Sequence, residues 1–137
     1  MHQLMAQANK SLSKTVLKHI GELFHTDHIP APFLVVTFVS PDNEIIASYH
    51  LSGLDEDTIA APLRTTSRIF GNPESQAALH QMQESVFYDL DGRRLVCRPI
   101  VFGDNPYLLI VLTKGKMAYR RDLNQFCKKI IEVAETA

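Results

Sequence analysis

The sequence is poor in cysteine and has no long apolar run, and each shortage excludes a class of protein. Cys97 and Cys127 are the two cysteines of this 137-residue chain, and they are too far apart in sequence to suggest a disulfide framework or a zinc motif. The longest apolar runs, residues 33–36 and 108–112, are much shorter than a membrane-spanning helix. The first residues, MHQLMAQANK, lack the layout of a signal peptide. We therefore expect a cytoplasmic protein with reduced thiols and no membrane insertion.

The motifs of the common catalytic and nucleic-acid-binding classes are also missing. No G-x-x-x-x-G-K-[ST] sequence is present, so the chain is not predicted to be a nucleotide-hydrolysing switch. Neither paired carboxylates nor a Ser/His/Asp spacing indicates a catalytic centre. The basic last third lacks the interleaved aromatic residues and the motifs of a nucleic-acid binder. The sequence thus predicts no enzyme, no cofactor and no nucleic-acid partner.

Three spaced histidines are the closest approach to a metal motif. His19, His25 and His28 form the pattern H-x2-E-x2-H-x2-H together with Glu22. Residues that are successively three apart do not stay on one face of a helix, and Pro30 ends any helix shortly after His28. The four side chains therefore cannot converge on one metal ion without distortion. We predict no metal site, and the sequence leaves the role of the histidines open.

The residues that are present suit one globular domain with a substantial core. The hydrophobic fraction is 45% and the net charge is −1, which excludes an intrinsically disordered chain. We expect one domain over residues 1–137, with an N-terminal helix within residues 1–25 and a core over residues 33–134.

The charge is divided unevenly along the chain. Residues 1–91 carry five Lys and Arg against eleven Asp and Glu, a net −6, and residues 92–137 carry nine against four, a net +5. Such a gradient either creates two oppositely charged faces that orient a partner, or disperses because the two parts interleave in the fold. The sequence leaves both interpretations open.

The periodicity of apolar residues predicts the order α-β-β-α-β-β-β-α. The predicted elements are helices at 4–24, 55–70 and 119–134, a short helix at 74–83, and strands at 33–39, 44–51, 86–90, 93–102 and 107–112. The first and last strands are apolar on both faces, so they belong in the centre of a sheet covered on both sides by helices. The second and third strands are then its edges. The last helix carries the cleanest apolar stripe, which runs from Tyr119 to Ala134 and includes Ile131.

The C-terminal half resembles the roadblock/dynein light-chain family. The resemblance is carried by VFYDLDGRRLVCRPI at 86–100, by LLIVLT at 108–113 and by the helix after Gly115. Members of that family similarly show a strand, a D-G turn, a strand that ends near R-P, an apolar strand and an amphipathic terminal helix. One departure is Gly71-Asn72-Pro73, which interrupts a middle helix that is usually one long element. The resemblance implies an α/β (α+β) fold with strand order 2-1-5-4-3.

The resemblance also implies a non-catalytic, dimeric adaptor or regulator. Its mate would be itself or a paralogue, paired through the third strand and the middle helix, and its target a small Ras-like GTPase or a motility or signalling complex. An apolar edge strand invites pairing with another chain on physical grounds as well. The residues predicted for this interface are Ile59, Leu63, Arg64, Ser67 and Phe70 on the helix, and Val86, Phe87 and Tyr88 on the strand.

A PAS- or GAF-like domain that senses a small ligand is the alternative prediction, since such domains share a central antiparallel sheet with flanking helices. It requires a cavity against the sheet with convergent polar groups. The central strands carry few polar residues, chiefly Thr37 and Thr113, which favours the adaptor.

Overall fold

Helices and strands follow one another in the predicted order. The computed structural model describes residues 12–71, 79, 82–89 and 91–136. Most of the predicted helix at 74–83, and the first part of the predicted N-terminal helix, lie outside the described residues. The elements are α1 (Lys14–Glu22), β1 (Phe33–Val39), β2 (Ile45–His50), α2 (Glu56–Phe70), β3 (Ser85–Tyr88), β4 (Arg94–Phe102), β5 (Asn105–Thr113) and α3 (Arg120–Thr136), with a 3-10 turn at Thr26–His28 after α1.

The five strands form one sheet in the order β2-β1-β5-β4-β3, with every neighbouring pair antiparallel. The two doubly apolar strands, β1 and β5, pair with each other inside the sheet, and β2 and β3 are its edges. The sequence prediction of strand order, central strands and edge strands is therefore confirmed. The D-G turn between β3 and β4 is also confirmed, because Gly92 has a φ of +81°, a conformation that glycine adopts readily.

Two helices, α1 and α3, cover the first face of the sheet. The largest apolar cluster joins Val16 and Ile20 of α1 to Leu123, Phe126 and Ile130 of α3 and to the inward-facing residues of the strands. Most of the predicted stripe of α3 is buried, but Ala134 is half-buried and Ile131 is 37% exposed. The prediction that Ile131 belongs to the buried stripe was wrong, because the side of α3 that faces the sheet is narrower than the apolar stripe.

One long helix, α2, lies on the second face. Asp55 caps it, since its side chain accepts a hydrogen bond from the Thr58 backbone N–H at 2.7 Å. The helix ends at Phe70, immediately before Gly71, as the sequence predicts. Leu63 and Phe70 pack against a buried cluster on this face that also contains Leu79.

The width of α2 is less than the width of the sheet beneath it. Four spacings between five strands add to about 19 Å, whereas a helix with its side chains is about 10–12 Å across. Pro62 and Thr66 are the buried residues of α2. The helix therefore lies over the middle strands and leaves a groove along each flank.

The acidic and basic parts of the chain interleave in the fold. Glu84 forms ion pairs with Arg98 at 2.6 Å and with Arg120 at 3.3 Å. Arg93 pairs with Asp89 at 2.6 Å and with Asp91 at 3.4 Å. Each of these pairs joins a carboxylate of residues 1–91 to an arginine of residues 92–137. These contacts support the interpretation in which the acidic and basic parts of the chain interleave, and not the one with two oppositely charged faces.

Candidate functional site

The first groove, called the β3 groove here, lies between α2 and the strands β3 and β4. Its volume is about 240 Å³. Thr58, Ala61, Pro62 and Thr65 of α2 form one wall, and the other side is formed by Phe87, Tyr88, Asp89, Arg93, Leu95 and Leu112. Apart from an aspartate and an arginine at its rim, the lining is uncharged and mainly apolar.

Phe87 and Tyr88 of strand β3 both line this groove, but neighbouring side chains on a strand point to opposite faces, so Phe87 faces α2 and Tyr88 lies on the side of Val86. Tyr88 is 74% exposed and Phe87 is 38% exposed, although β3 pairs with β4 along one side. Val86, the third predicted strand residue, packs instead against the apolar cluster on the first face. Because β3 is an edge of the sheet, one side of its backbone has no strand partner among the described residues.

The rim of the β3 groove is held in shape by Asp89. Its Oδ1 accepts hydrogen bonds from the backbone N–H groups of Asp91 and Arg93, and its Oδ2 accepts one from Arg93 Nε at 2.6 Å. Desolvation of the carboxyl raises its pKa, but the bonds and the charge of Arg93 outweigh it, so the pKa of Asp89 lies below its usual value. The carboxylate thus fixes the tip of the hairpin beside Tyr88.

The other end of β3 is anchored by a charged cluster. Glu84 precedes the strand and receives hydrogen bonds from Arg98 of β4 and Arg120 of α3. Arg98 also donates to Asn124 Oδ1 at 2.6 Å. The edge strand is therefore fixed at both ends, which favours a preformed docking surface over one that must be ordered on binding.

The second groove, called the β2 groove here, lies on the opposite flank of α2. Its volume is about 470 Å³. Its lining is formed by Ile59, Ala60, Leu63, Arg64 and Ser67 of α2 and by Val35, Thr37, Ile45, Ser48, Tyr49 and His50 of the strands. Ser67 closes one end, since its Oγ accepts a hydrogen bond from Asn43 Nδ2 at 2.9 Å.

The predicted interface residues fall on two different flanks. Ile59, Leu63, Arg64 and Ser67 line the β2 groove, whereas Phe87 and Tyr88 line the β3 groove. Phe70 belongs to neither and packs on the sheet itself. The structure thus does not bring the predicted helix residues together with the predicted strand residues.

The sequence prediction missed the helix residues that lie beside β3. Thr58, Ala61 and Thr65 have short side chains at positions i, i+3 and i+7, so they form one stripe on α2. That spacing is the signal that could have found them. It is weak, because short polar residues on a helix are also typical of an ordinary solvated face.

The two cysteines are core residues. Cys97 and Cys127 are both buried and unpaired by disulfides. Burial raises the pKa of the Cys97 thiol to about 12. Burial also raises the pKa of Cys127, although the neighbouring Arg98 lowers it in part. Both thiols are therefore protonated at neutral pH, which makes them poor nucleophiles.

The three histidines of the spaced motif are exposed around the end of α1 and the 3-10 turn that follows it. Within the described part of the chain, no group of three or more His, Cys, Asp or Glu side chains is arranged to hold a metal ion. Likewise, among the described residues no helix combines the length and the apolar character needed to cross a bilayer.

Comparison with known proteins identifies the fold. No protein-family model and no curated protein matches the sequence. Among solved structures, the gliding protein MglB from Thermus thermophilus is 15% identical, with a TM-score of 0.57, and the match covers 90% of this chain and 91% of that one. Myxococcus xanthus MglB is 13% identical with a TM-score of 0.61, covering 93% and 96%. An MglB with a tetrameric arrangement is 11% identical with a TM-score of 0.59, again covering 93% and 96%.

At such low identities the likeness concerns the fold. The chain has a roadblock/longin-type fold, which is the fold that the resemblance in its C-terminal half implied.

Proposed function

We propose that this chain acts as one non-catalytic domain that self-associates and serves as an adaptor or regulator of a second protein, a small Ras-like GTPase or a component of a motility or signalling complex. One observation carries the proposal: α2 is flanked on the second face by two open, mainly apolar grooves, one of them beside an edge strand with exposed Phe87 and Tyr88. Such grooves suit protein docking. The PAS- or GAF-like sensor is less well supported, because it needs a cavity with convergent polar groups, whereas both grooves are open and mainly apolar.

Self-association is assigned to the β3 groove. When two copies of β3 pair across a two-fold axis, each edge satisfies the backbone groups of the other, and the exposed rings of Tyr88 and Phe87 are covered. The short side chains of Thr58, Ala61 and Thr65 then let the two α2 helices approach each other over the joined sheet. The name of the MglB structure with a tetrameric arrangement is in keeping with self-association in this fold.

The charges on α2 suit an antiparallel pair of identical helices. Asp57 lies in the first turn and Arg68 in the last, and both are exposed. A two-fold axis between positions 62 and 63 sets Asp57 of one copy opposite Arg68 of the other, because those two positions are equally distant from the axis. The same face is thus complementary to itself, which favours a homodimer over pairing with a paralogue.

Exchanging the two charges tests this arrangement. We expect Arg68→Asp to weaken self-association about tenfold, because each interface then sets two pairs of carboxylates against each other. Mixing Arg68→Asp with Asp57→Arg should restore a dimer of the two variants, since each contact again joins opposite charges. Sedimentation velocity of the single variants and of their mixture measures this.

Arg121→Asp is the matched control, because Arg121 is an exposed arginine on α3, away from the β3 groove. This variant changes the net charge equally and should dimerise as the wild type does. If the Asp57→Arg and Arg68→Asp variants show no preference for each other, the antiparallel α2 contact is wrong.

The second protein is assigned to the β2 groove, which β3 pairing leaves free. Ile59, Leu63, Arg64 and Ser67 line it. The sequence predicted these residues for the dimer interface, and we assign them instead to the second protein because they lie on the flank of α2 away from β3. The description of one relative as a gliding protein supports a motility complex as the setting.

A binding experiment tests the GTPase half of the proposal. Purified Ras-like GTPases from the source cell, loaded with GDP or with a non-hydrolysable GTP analogue, should bind the dimer in one nucleotide state, and Leu63→Lys should reduce that binding at least about tenfold. An affinity that is the same in both nucleotide states and is unchanged by Leu63→Lys would rule out this assignment.

A further inference from the structure

Strand β2 is a second edge, and self-association through β3 does not cover it. In the order β2-β1-β5-β4-β3 the two edges are at opposite ends of the sheet, and β2 pairs with β1 alone among the described strands. The outer backbone groups of residues 45–50 therefore have no strand partner in the sheet. A dimer built through β3 would carry two such free edges, one at each end of its joined sheet.

This edge has few of the features that usually prevent a strand from pairing: residues 47–50 pair with β1 without a break, and the register shifts between Ala47 and Ile45. Its sequence, IIASYH, contains no proline, lysine or carboxylate. The register places Ile45, Ser48 and His50 opposite Val39, Thr37 and Val35, and these three β2 residues line the β2 groove. Ile45 is 55% exposed there. An edge without proline, lysine or carboxylate thus runs along a mainly apolar groove.

The charge of the groove specifies what it would bind. Arg64 is the one side chain among the described lining residues that carries a permanent charge. It is exposed, and no carboxylate among the described residues forms an ion pair with it. A ligand with a carboxylate at this point would give Arg64 a partner next to the apolar surfaces of Ile45, Ile59 and Leu63.

We propose that the β2 edge binds an extended segment of a partner protein, which adds a sixth strand beside β2. The main chain of the segment pairs with residues 45–50, alternate apolar side chains enter the β2 groove, and an aspartate or glutamate of the segment reaches Arg64. This mode takes its affinity from backbone hydrogen bonds and its specificity from every second side chain. The inference deepens the adaptor function proposed above, and rests on it for the identity of the partner class.

A peptide selection on the full-length protein tests the proposal. A library of random twelve-residue peptides displayed on phage is selected on the wild type, after depletion on Ile45→Lys, which places a charge in the groove. Ile45 is more than half exposed, so this variant should fold, as circular dichroism can verify. We expect peptides with apolar residues at alternate positions and at least one carboxylate.

The recovered peptide, once synthesised, should bind the wild type and lose at least about tenfold in affinity with Ile45→Lys and with Arg64→Glu. Arg64→Lys should retain most of the affinity. Val101→Lys is the matched control, since Val101 is an exposed apolar strand residue outside both grooves. Hydrogen exchange should show slower exchange of the amides of residues 45–50 when the peptide is bound.

Three results would overturn the proposal: no enriched peptide, an enriched peptide that binds Ile45→Lys as tightly as the wild type, or amide protection at residues 85–88 in place of 45–50. A fall in solution mass with Ile45→Lys would also contradict it, because the groove would then hold a second copy of the chain. A wild-type chain that is monomeric but binds the peptide at β2 would contradict only the proposed self-association.

Discussion

Replacing Tyr88 by glutamate is expected to convert the dimer into a folded monomer. The ring of Tyr88 is 74% exposed in the isolated chain, so the substitution removes little intramolecular packing. In the proposed dimer the same ring lies at the paired edges, where burying an aromatic side chain contributes about 2–4 kcal/mol and an unpaired carboxylate is costly to desolvate. The dimer dissociation constant should therefore rise at least about a hundredfold.

Sedimentation equilibrium over a range of concentrations measures this shift, and thermal unfolding verifies that the variant is folded. Tyr88→Phe should dimerise nearly as well as the wild type, because it keeps the apolar ring. Met117→Glu is a matched control at an exposed apolar residue outside both grooves, and it should leave the mass unchanged. A Tyr88→Glu protein with an unaltered dimer constant would show that β3 is not the pairing edge.

Replacing Phe126 by alanine is expected to destabilise the fold by about 3–5 kcal/mol, the cost of removing a large buried aromatic side chain. Phe126 of α3 is 1% exposed. Its ring meets Phe24 edge-on at 5.3 Å between centroids and Phe33 at 6.0 Å. One side chain thus joins the end of α1, strand β1 and α3, and alanine would leave a cavity where these three elements meet.

Urea unfolding followed by circular dichroism measures the free energy of unfolding of this variant. Ile131→Ala lies on the same helix at a position that is 37% exposed, and it should cost less than about 1 kcal/mol. The two substitutions are compared at one protein concentration, because dimerisation stabilises the folded state. Equal losses for both variants would mean that α3 does not pack on the sheet through Phe126.

The sheet was predictable because its strongest signals are local. Runs of β-branched and aromatic residues that are apolar on both faces occur in β1 and β5, and only a central strand can bury both faces. The D-G turn is equally local, since it depends on side chains within a few residues. These signals were sufficient to place the central and edge strands and to predict that helices cover both faces of the sheet.

The flanks of α2 could not be predicted in the same way. Ile59 and Leu63 form an apolar stripe, and the sequence cannot show whether such a stripe points toward β2 or toward β3. That depends on how the helix crosses the sheet, which is set by the burial of Pro62 and Thr66 against the middle strands. The residues beside Tyr88, such as Ala61 and Thr65, are short and not strongly apolar, so no hydrophobic periodicity marks them.

The solution mass of the wild-type chain tests the central claim most directly. Light scattering after size exclusion, at concentrations from low to high micromolar, should give twice the 15.4 kDa mass of the single chain. A mass that remains at 15.4 kDa at high micromolar concentration would contradict self-association, and with it the role proposed for β3 and the outer face of α2.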